Sequence, residues 1–220
     1  MKIICKDITK SYSKNIINNV IDRLSFDLAS GESMAISGPS GVGKSTLLNL
    51  LSGLDNVDEG EIWFDDLNVT KLSDKEKILF RLNNISLIFQ TPNLLKDFNV
   101  IENIIIPIRY KGISKIQSID IGDRALKEVG LFDIKEKPIS LLSGGEAQRV
   151  GIARAIAMET RIILADEPTG NLDSENSKMV MNHLIDICKK HSTTLIVVTH
   201  DKEAISQLNN VVQMKDGVFI

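Results

Sequence analysis

Runs of basic residues are missing from this sequence. Its 26 Lys and Arg are scattered among 29 Asp and Glu, for a net charge of -3. A general nucleic-acid binder must offset phosphate charge, so no nucleic-acid partner is expected. Long apolar runs are missing too: no stretch reaches 18 apolar residues, and the N-terminal MKIICKDITKSYSK holds no apolar signal region. The expectation is a chain neither secreted nor membrane-spanning by itself. Cysteine is scarce, with Cys5 and Cys188 far apart. They read as reduced, buried thiols of a cytosolic protein rather than as a disulfide framework. Nothing has metal-ligand spacing, and repeats, heptads and low-complexity segments are absent. Aromatics are few, with two Tyr and one Trp.

What remains is 43% hydrophobic and 25% charged over 220 residues, the profile of a soluble globular chain long enough for one large domain or two small ones. Its most informative stretch is GPSGVGKST, Gly38 to Thr46. The stretch satisfies G-x-x-x-x-G-K-[ST], with apolar Met34-Ala35-Ile36 leading in and the helix-like Thr46-Leu47-Leu48-Asn49-Leu50-Leu51 leading out. Strand, Gly-rich turn and helix form the setting in which backbone N–H groups can hold a triphosphate. Lys44 is then placed to reach the β- and γ-phosphates and the Ser45 hydroxyl to bind Mg²⁺. The alternative, a solvent turn matching by chance, is an event on the order of one in a hundred at ordinary glycine frequency.

Along the chain, Ile3-Ile4-Cys5 reads as a short strand that Asp7 to Lys10 leaves. Tyr12 follows in the polar segment Ser11 to Asn15, either as an ordinary loop aromatic or as a ring for stacking on a base. Val20 to Leu28 reads as a second strand, with early antiparallel pairing expected. Glu61 to Phe64 is another strand, and Leu72 to Leu82 a helix with Ser73 and Glu76 in a capping box. Ile85 to Phe89 is a strand that ends at Gln90, a residue suited to face a ligand crevice or merely to cap a loop. The segment from Val100 looks helical and stops before Pro107. Ser118 to Val129 and Gln148 to Met158 read as two further helices. Three helices with no strand between them suggest a helical insert at about residues 92–158, within a core of about 1–91 and 159–220. Then come a buried strand over Arg161 to Ala165, a helix over Ser174 to Lys190, a buried strand over Thr193 to Val198 and a helix over Asp201 to Leu208. A hairpin turning at Asp216-Gly217 closes the chain.

Two acids, Asp166 and Glu167, end the buried strand. On a surface the pair would mean nothing; beside a phosphate loop, Asp166 suits Mg²⁺ and Glu167 suits a proton acceptor for water. His200 also ends a strand and either contacts the γ-phosphate or water, or is a satisfied loop histidine. His183 and His191 read as solvated. Leu142-Ser143-Gly144-Gly145-Glu146 puts two glycines ahead of a long helix. That bare helix start is either a second anion site, serving a nucleotide held by another subunit, or a plain start with Ser143 as N-cap.

On these residues the chain resembles an ATP-binding cassette (ABC) ATPase subunit over essentially its whole length. GPSGVGKS resembles Walker A, so Gly38, Pro39, Ser40, Gly41, Val42, Gly43, Lys44, Ser45 and Thr46 are implied to bind ATP. IILADE resembles Walker B, with Glu167 as catalytic glutamate. Gln90 matches the Q-loop, LSGGE the signature, Asn171-Leu172-Asp173 the D-loop, His200 the switch histidine and Tyr12 the A-loop aromatic. The resemblance implies an α/β P-loop NTPase fold with a RecA-like core, an antiparallel β subdomain and an inserted helical subdomain. It implies catalytic roles for Glu167, His200, Lys44 and Gln90, and Mg²⁺ contact through Ser45, Gln90 and Asp166. It also implies a head-to-tail homodimer in which Ser143, Gly144 and Gly145 complete the partner's ATP site and Asp173 couples the two. Gln90 would link the metal to integral membrane permease subunits at the cytoplasmic face of the membrane.

The signature ends in Glu146 where many members have Gln, and Ala147 stands where another polar residue is usual, before Gln148 and Arg149. Glu146, GLDNVDEGEI, ENIIIPI and LADEPTGNLD are similar to the subgroup of lipoprotein-releasing, macrolide-efflux and cell-division ATPases. The expected function is ATP hydrolysis powering a lipoprotein-release or macrolide/peptide-export permease. The alternatives are control of an FtsX-like cell-division partner or a chromosome-associated cassette. The last generally has long coiled coils, which are absent here. A cassette that only binds ATP is a further alternative, against which Glu167 and His200 are both present.

Overall fold

The computed structural model describes residues 1–12, 19–170, 172–208 and 210–220. The chain opens with β1 (Ile3–Lys10) and β2 (Ile21–Leu28), paired antiparallel as expected. β1 is longer than the Ile3 to Cys5 expected from the sequence. Its register shifts between Cys5 and Ile8, and Asp7 adopts a left-handed φ of 46°. This bulge breaks the alternation that marks a strand in sequence, while the ladder continues beyond it. β3 (Ser33–Ser37), α1 (Lys44–Leu51), β4 (Glu59–Phe64) and the short β5 (Leu67–Asn68) follow. α2 (Asp74–Asn84) starts from the expected Ser73–Glu76 capping box and runs into β6 (Ile85–Ile88).

Three helices come next: α3 (Val100–Tyr110), α4 (Lys115–Glu128) and α5 (Gly144–Ala157). They pack on one another with no strand among the described residues between β6 and β7 (Ile162–Asp166). Each departs from the sequence expectation by several residues at one end. α3 continues through Pro107, because proline there removes a single i→i−4 bond in the last turn while Ile104, Ile105 and Ile108 anchor the helix in the core. α4 begins before Ser118, capped by Ser114; its first turn carries an exposed Ile116 that blurs the apolar period. α5 takes in Gly144 and Gly145 as its first turn, since a Ser143–Glu146 capping box outweighs their poor helix propensity. α6 (Ser174–Lys190), β8 (Thr194–Val198), α7 (Lys202–Ser206), β9 (Asn210–Lys215) and β10 (Val218–Phe219) complete the chain.

The strands form two sheets, one ordered β2-β1-β4-β5 and antiparallel, the other ordered β10-β9-β3-β8-β7-β6. In the second, β9, β3, β8, β7 and β6 are all parallel and only β10 runs against its neighbour. Alternation within its buried strands sorts the core. Ile162, Leu164, Ile196 and Val198 join α1 and the antiparallel sheet, while Ile163, Ala165, Leu195 and Val197 join the helices α3 to α6. Both faces are therefore covered, which explains the unbroken apolar runs of β7 and β8. Parallel alignment also brings the ends of β3, β6, β7 and β8 to one edge, where ligands bind in such sheets.

The segment between β6 and α3 is fastened by a residue that read only as part of a helix. Asn103, buried on α3, donates to the carbonyls of Leu95 and Asn99 and accepts the Leu95 N–H at 2.6 Å. Asn103→Ala leaves the Leu95 backbone without those partners, a loss of about 1–3 kcal/mol. At about 2–4 °C per kcal/mol for a chain of this size, a thermal melt is expected to show a clear fall in Tm.

Candidate nucleotide-binding site

A cleft of about 590 Å³ opens at the shared strand edge, lined by Val20, Gly38 to Gly41, Gly43 to Thr46, Gln90, Asp166, Glu167 and His200. Its floor is the turn between β3 and α1. Gly43 caps the helix with φ 107° and no side chain, leaving the first-turn N–H groups of α1 pointing outward. Only glycine fits there: a Cβ would lie 2.5 Å from the Val20 carbonyl oxygen. Lys44 is buried, and its ammonium donates to the carbonyls of Gly38 and Pro39, both at 2.8 Å. A cation held by two neutral carbonyls can be drawn away by an anion of higher charge. Val42, included in the loop by sequence, does not line the cleft; its side chain packs on the apolar core.

The acids stand opposite the loop. Asp166 interacts with the Ser45 hydroxyl; burial pushes its carboxyl above the ordinary range, the Ser45 bond opposes that, Glu167 adds to it and Lys44 offsets it. Glu167 follows in a left-handed conformation, φ 45°, with its N–H bonded to the Val198 carbonyl on the neighbouring strand. A non-glycine residue there costs on the order of 1–3 kcal/mol, strain of the kind kept at working sites. His200 Nδ1 lies 2.8 Å from Glu167 Oε1, and Glu167 Oε2 is buried without a hydrogen-bond partner. The imidazole is 74% exposed and the carboxylate only 16%. One oxygen of Glu167 is thus tethered and the other buried without a partner.

These donors fit Mg²⁺. Asp166 and Ser45 supply hard oxygen ligands, and the unpaired Glu167 oxygen and the strained Asp166 charge are conditions a cation relieves. No cluster of three or more acidic, His or Cys side chains capable of holding a metal occurs among the described residues. The set therefore suits an ion that is partly held by substrate phosphates.

Other predicted residues lie outside the cleft lining. Ser143, Gly144 and Gly145 sit at the start of α5, and Asp173 caps α6 through the Asn176 N–H at 3.0 Å. Asn171 lies outside the described residues, as do residues 13–15 of the polar segment around Tyr12. Tyr12 does not line the cleft, but its phenol oxygen interacts with the Thr46 hydroxyl at the end of the phosphate loop. His183 and His191 are not simply solvated: His183 Nε2 contacts the Glu128 carbonyl and His191 Nε2 lies 3.7 Å from the Glu128 carboxylate. Sequence reading missed Val20 as a lining residue, because an apolar residue at a strand start reads as core. It also missed Gly170, where a Cβ would come within 2.9 Å of the Gln90 amide. Cleft size does not choose the site. A cavity of about 650 Å³ lies at the opposite edge, beside Arg161 and Thr193, without any phosphate loop.

Residues 21–170 match the family described as ABC transporter. The chain belongs to that family. The ABC subunit is 37% identical over 216 residues to the lipoprotein-releasing system ATP-binding protein LolD of Saccharophagus degradans, covering 98% of this chain and 95% of the relative. It is 38% identical over 201 residues to an uncharacterized ABC transporter ATP-binding protein of Mycobacterium tuberculosis, covering 91% of this chain and 81% of the other. It superposes on the ATP-binding cassette MJ0796, in a dimeric post-hydrolysis state bound to ADP and Pi, with a TM-score of 0.91 and 33% identity, covering 99% and 96% of the two chains. The match to cbiO1 from Clostridium perfringens gives a TM-score of 0.90 at 29% identity, covering 99% and 86%. The fold is the P-loop, RecA-like one expected from the sequence, and the ABC subunit is an ATPase that couples to a membrane permease.

Proposed function

We propose that this ABC subunit hydrolyses ATP as a head-to-tail homodimer and thereby drives a membrane permease of the lipoprotein-release or macrolide/peptide-export type. The observation that carries the catalytic part is the Glu167 carboxylate, tethered to His200 through one oxygen and buried unpaired at the other. ATP lies in the cleft with its phosphates on the first turn of α1 and on Lys44. Ser45, Asp166 and Gln90 would hold Mg²⁺, which when bound would neutralise charge on the phosphoryl group. The Glu167 carboxylate takes a proton from water as the water oxygen bonds to the γ-phosphorus. The β–γ bridging bond breaks, releasing ADP and phosphate. His200 keeps the accepting carboxylate aligned.

The dimer reading rests on the signature. A Cβ on Gly144 would meet nothing within 4 Å, and one on Gly145 only ordinary contacts. Nothing inside the chain requires glycine at either position, although glycine costs a helix up to about 1 kcal/mol relative to alanine. Ser143 Oγ accepts the Glu146 N–H at 3.2 Å, and its hydroxyl interacts with the Glu146 carboxylate. A helix start whose two glycines serve no need of their own chain leaves its backbone N–H groups open to a second copy's γ-phosphate, with Asp173 between the two sites. The homodimeric MJ0796 cassette with ADP and Pi supports this arrangement.

Residues of about 92–158 act as a helical subdomain that carries this signature. Beside it, Ile78, Leu82, Phe89, Pro107 and Tyr110 line a largely apolar groove, with Ile78 and Tyr110 exposed. Phe98 is exposed, while Ile104 and Ile105 belong to the core. We assign the groove to the permease's cytoplasmic helix, which places the subunit on the cytoplasmic face of the membrane. No helix among the described residues is long and apolar enough to cross a membrane. The likeness to LolD supports a lipoprotein-release type of partner. Co-expressed with a four-helix permease bearing a large extracytoplasmic domain, the chain is expected to sediment with membranes, and Tyr110→Asp to release it. Sedimentation unchanged by Tyr110→Asp rejects the groove, and no membrane association at all rejects this class of partner.

A further inference from the structure

The turn after α1 carries a polar cluster outside the cleft. Lys10, buried at the end of β1, donates to Asp55 Oδ1 at 2.9 Å, to the Asn56 carbonyl at 2.7 Å and to Asp58 Oδ1 at 3.4 Å. Its three ammonium protons match those three acceptors. The two segments are tied again by backbone: the Asp58 N–H donates to the Thr9 carbonyl and the Ser11 N–H to Asp58 Oδ2. Asp55 Oδ1 also accepts the Asn56 N–H, which leaves Oδ2 for the Tyr12 hydroxyl at 2.7 Å. The Lys10 ammonium lies 5.3 Å from the Tyr12 ring centroid, yet the residue is 62% exposed. Tyr12 is therefore held by its oxygen while much of its ring stays open.

We infer that Asp55 is a positioning residue for nucleotide recognition, holding the Tyr12 hydroxyl so that the ring stands ready to stack on the base of ATP beside the phosphate loop. The inference rests on the reading of Tyr12 as the base-stacking aromatic and adds what orients it. The Thr46 hydroxyl interacts with the same phenol oxygen, so the ring is registered to the loop that takes the phosphates. Burial works against the Asp55 charge, but the bonds from Lys10 and Tyr12 prevail and hold its carboxyl below the ordinary range. The anchor is thus charged at neutral pH. A ring fixed before the nucleotide arrives loses less rotational freedom on binding, so the effect belongs in affinity rather than in the chemical step.

Steady-state ATPase kinetics on Tyr12→Phe, Tyr12→Ala, Asp55→Ala and Tyr12→Phe/Asp55→Ala test this. Tyr12→Phe keeps the ring, the Lys10–Asp55 pair and the fold, and removes only the hydroxyl. It is expected to raise KM for ATP about three- to tenfold, the scale of one freed side chain, with kcat unmoved. Asp55→Ala, which also takes a partner from Lys10, is expected to raise KM at least as much, and the double variant to add nothing to Asp55→Ala, as for two ends of one contact. Binding of tripolyphosphate, which has no base, is expected to be the same in wild type and Tyr12→Phe. If Tyr12→Ala raises KM and Tyr12→Phe does not, the ring stacks without help from Asp55 and the inference is wrong. If Tyr12→Ala also leaves KM unchanged, Tyr12 is not the stacking residue and the inference falls with that reading. Loss of tripolyphosphate binding in Tyr12→Phe makes the hydroxyl a structural support of the loop, which also overturns it.

Discussion

Glu167→Gln is expected to lower steady ATP turnover by about 10²–10⁴-fold, the usual worth of a positioned proton acceptor, and to leave ATP bound. The substitution changes little besides that function. Glutamine retains an oxygen where Oε1 accepts from His200, so the tether measured at 2.8 Å persists. It places an amide nitrogen where Oε2 is buried without a partner, and that nitrogen accepts no proton. The left-handed backbone at φ 45° is equally strained in both forms, so the difference reports on chemistry rather than on folding. Phosphate release measured beside equilibrium ATP binding checks this. Because the nucleotide persists, light scattering with Mg²⁺ and ATP is expected to show the variant at twice the mass of one chain. Wild-type turnover by the variant would show that the proton goes elsewhere.

Ser143→Arg is expected to have a comparably large effect for a different reason. Ser143 does not line the cleft of its own chain, so the affinity of a single chain for ATP is expected to stay at the wild-type value. Turnover is expected to fall by at least about 10²-fold, as when an oxyanion donor is removed, because a long side chain fills the space over the helix start. Arginine at the N-cap also forfeits the Ser143–Glu146 box, which lowers stability by about 1 kcal/mol and leaves the rest of α5 in place. The two readouts separate the possibilities. Loss of affinity together with turnover would place Ser143 in its own chain's site.

Much of the cleft was legible because its signals are local. The loop from Gly38 to Thr46 combines glycines that no other residue can replace, such as Gly43 against the Val20 carbonyl, with a lysine at a fixed offset. Asp166 and Glu167 end an apolar run that only a sheet covered on both faces explains. The parts that were not legible depend on contacts distant in sequence. The bulge at Asp7 hides the second half of β1 from a period-two pattern. Pro107 suggests a helix end, yet the isoleucines on either side outweigh one missing hydrogen bond. His183 and His191 gather on Glu128 from another helix, a proximity no spacing within α6 announces. Asp55 looks like a turn residue, and only the pairing of β1 with the turn after α1 shows that it meets Lys10 and Tyr12. The bare start of α5 presented the reverse situation. Its oddity was visible in the sequence, and the structure sharpened it by showing that the chain itself makes no use of the missing side chains.

The central claim is that each active site is built from two chains, Gly38 to Thr46 of one and Ser143 to Gly145 of the other. Mixing two inactive variants tests it directly. Lys44→Ala chains lack the phosphate-binding lysine, and Ser143→Arg chains lack a usable signature; each alone is expected to be inactive. In a mixed dimer one site carries both defects and the other carries neither. With random pairing and independent sites, an equal mixture is expected to recover roughly a quarter of wild-type ATP turnover. A mixture no more active than either variant alone would contradict the shared site.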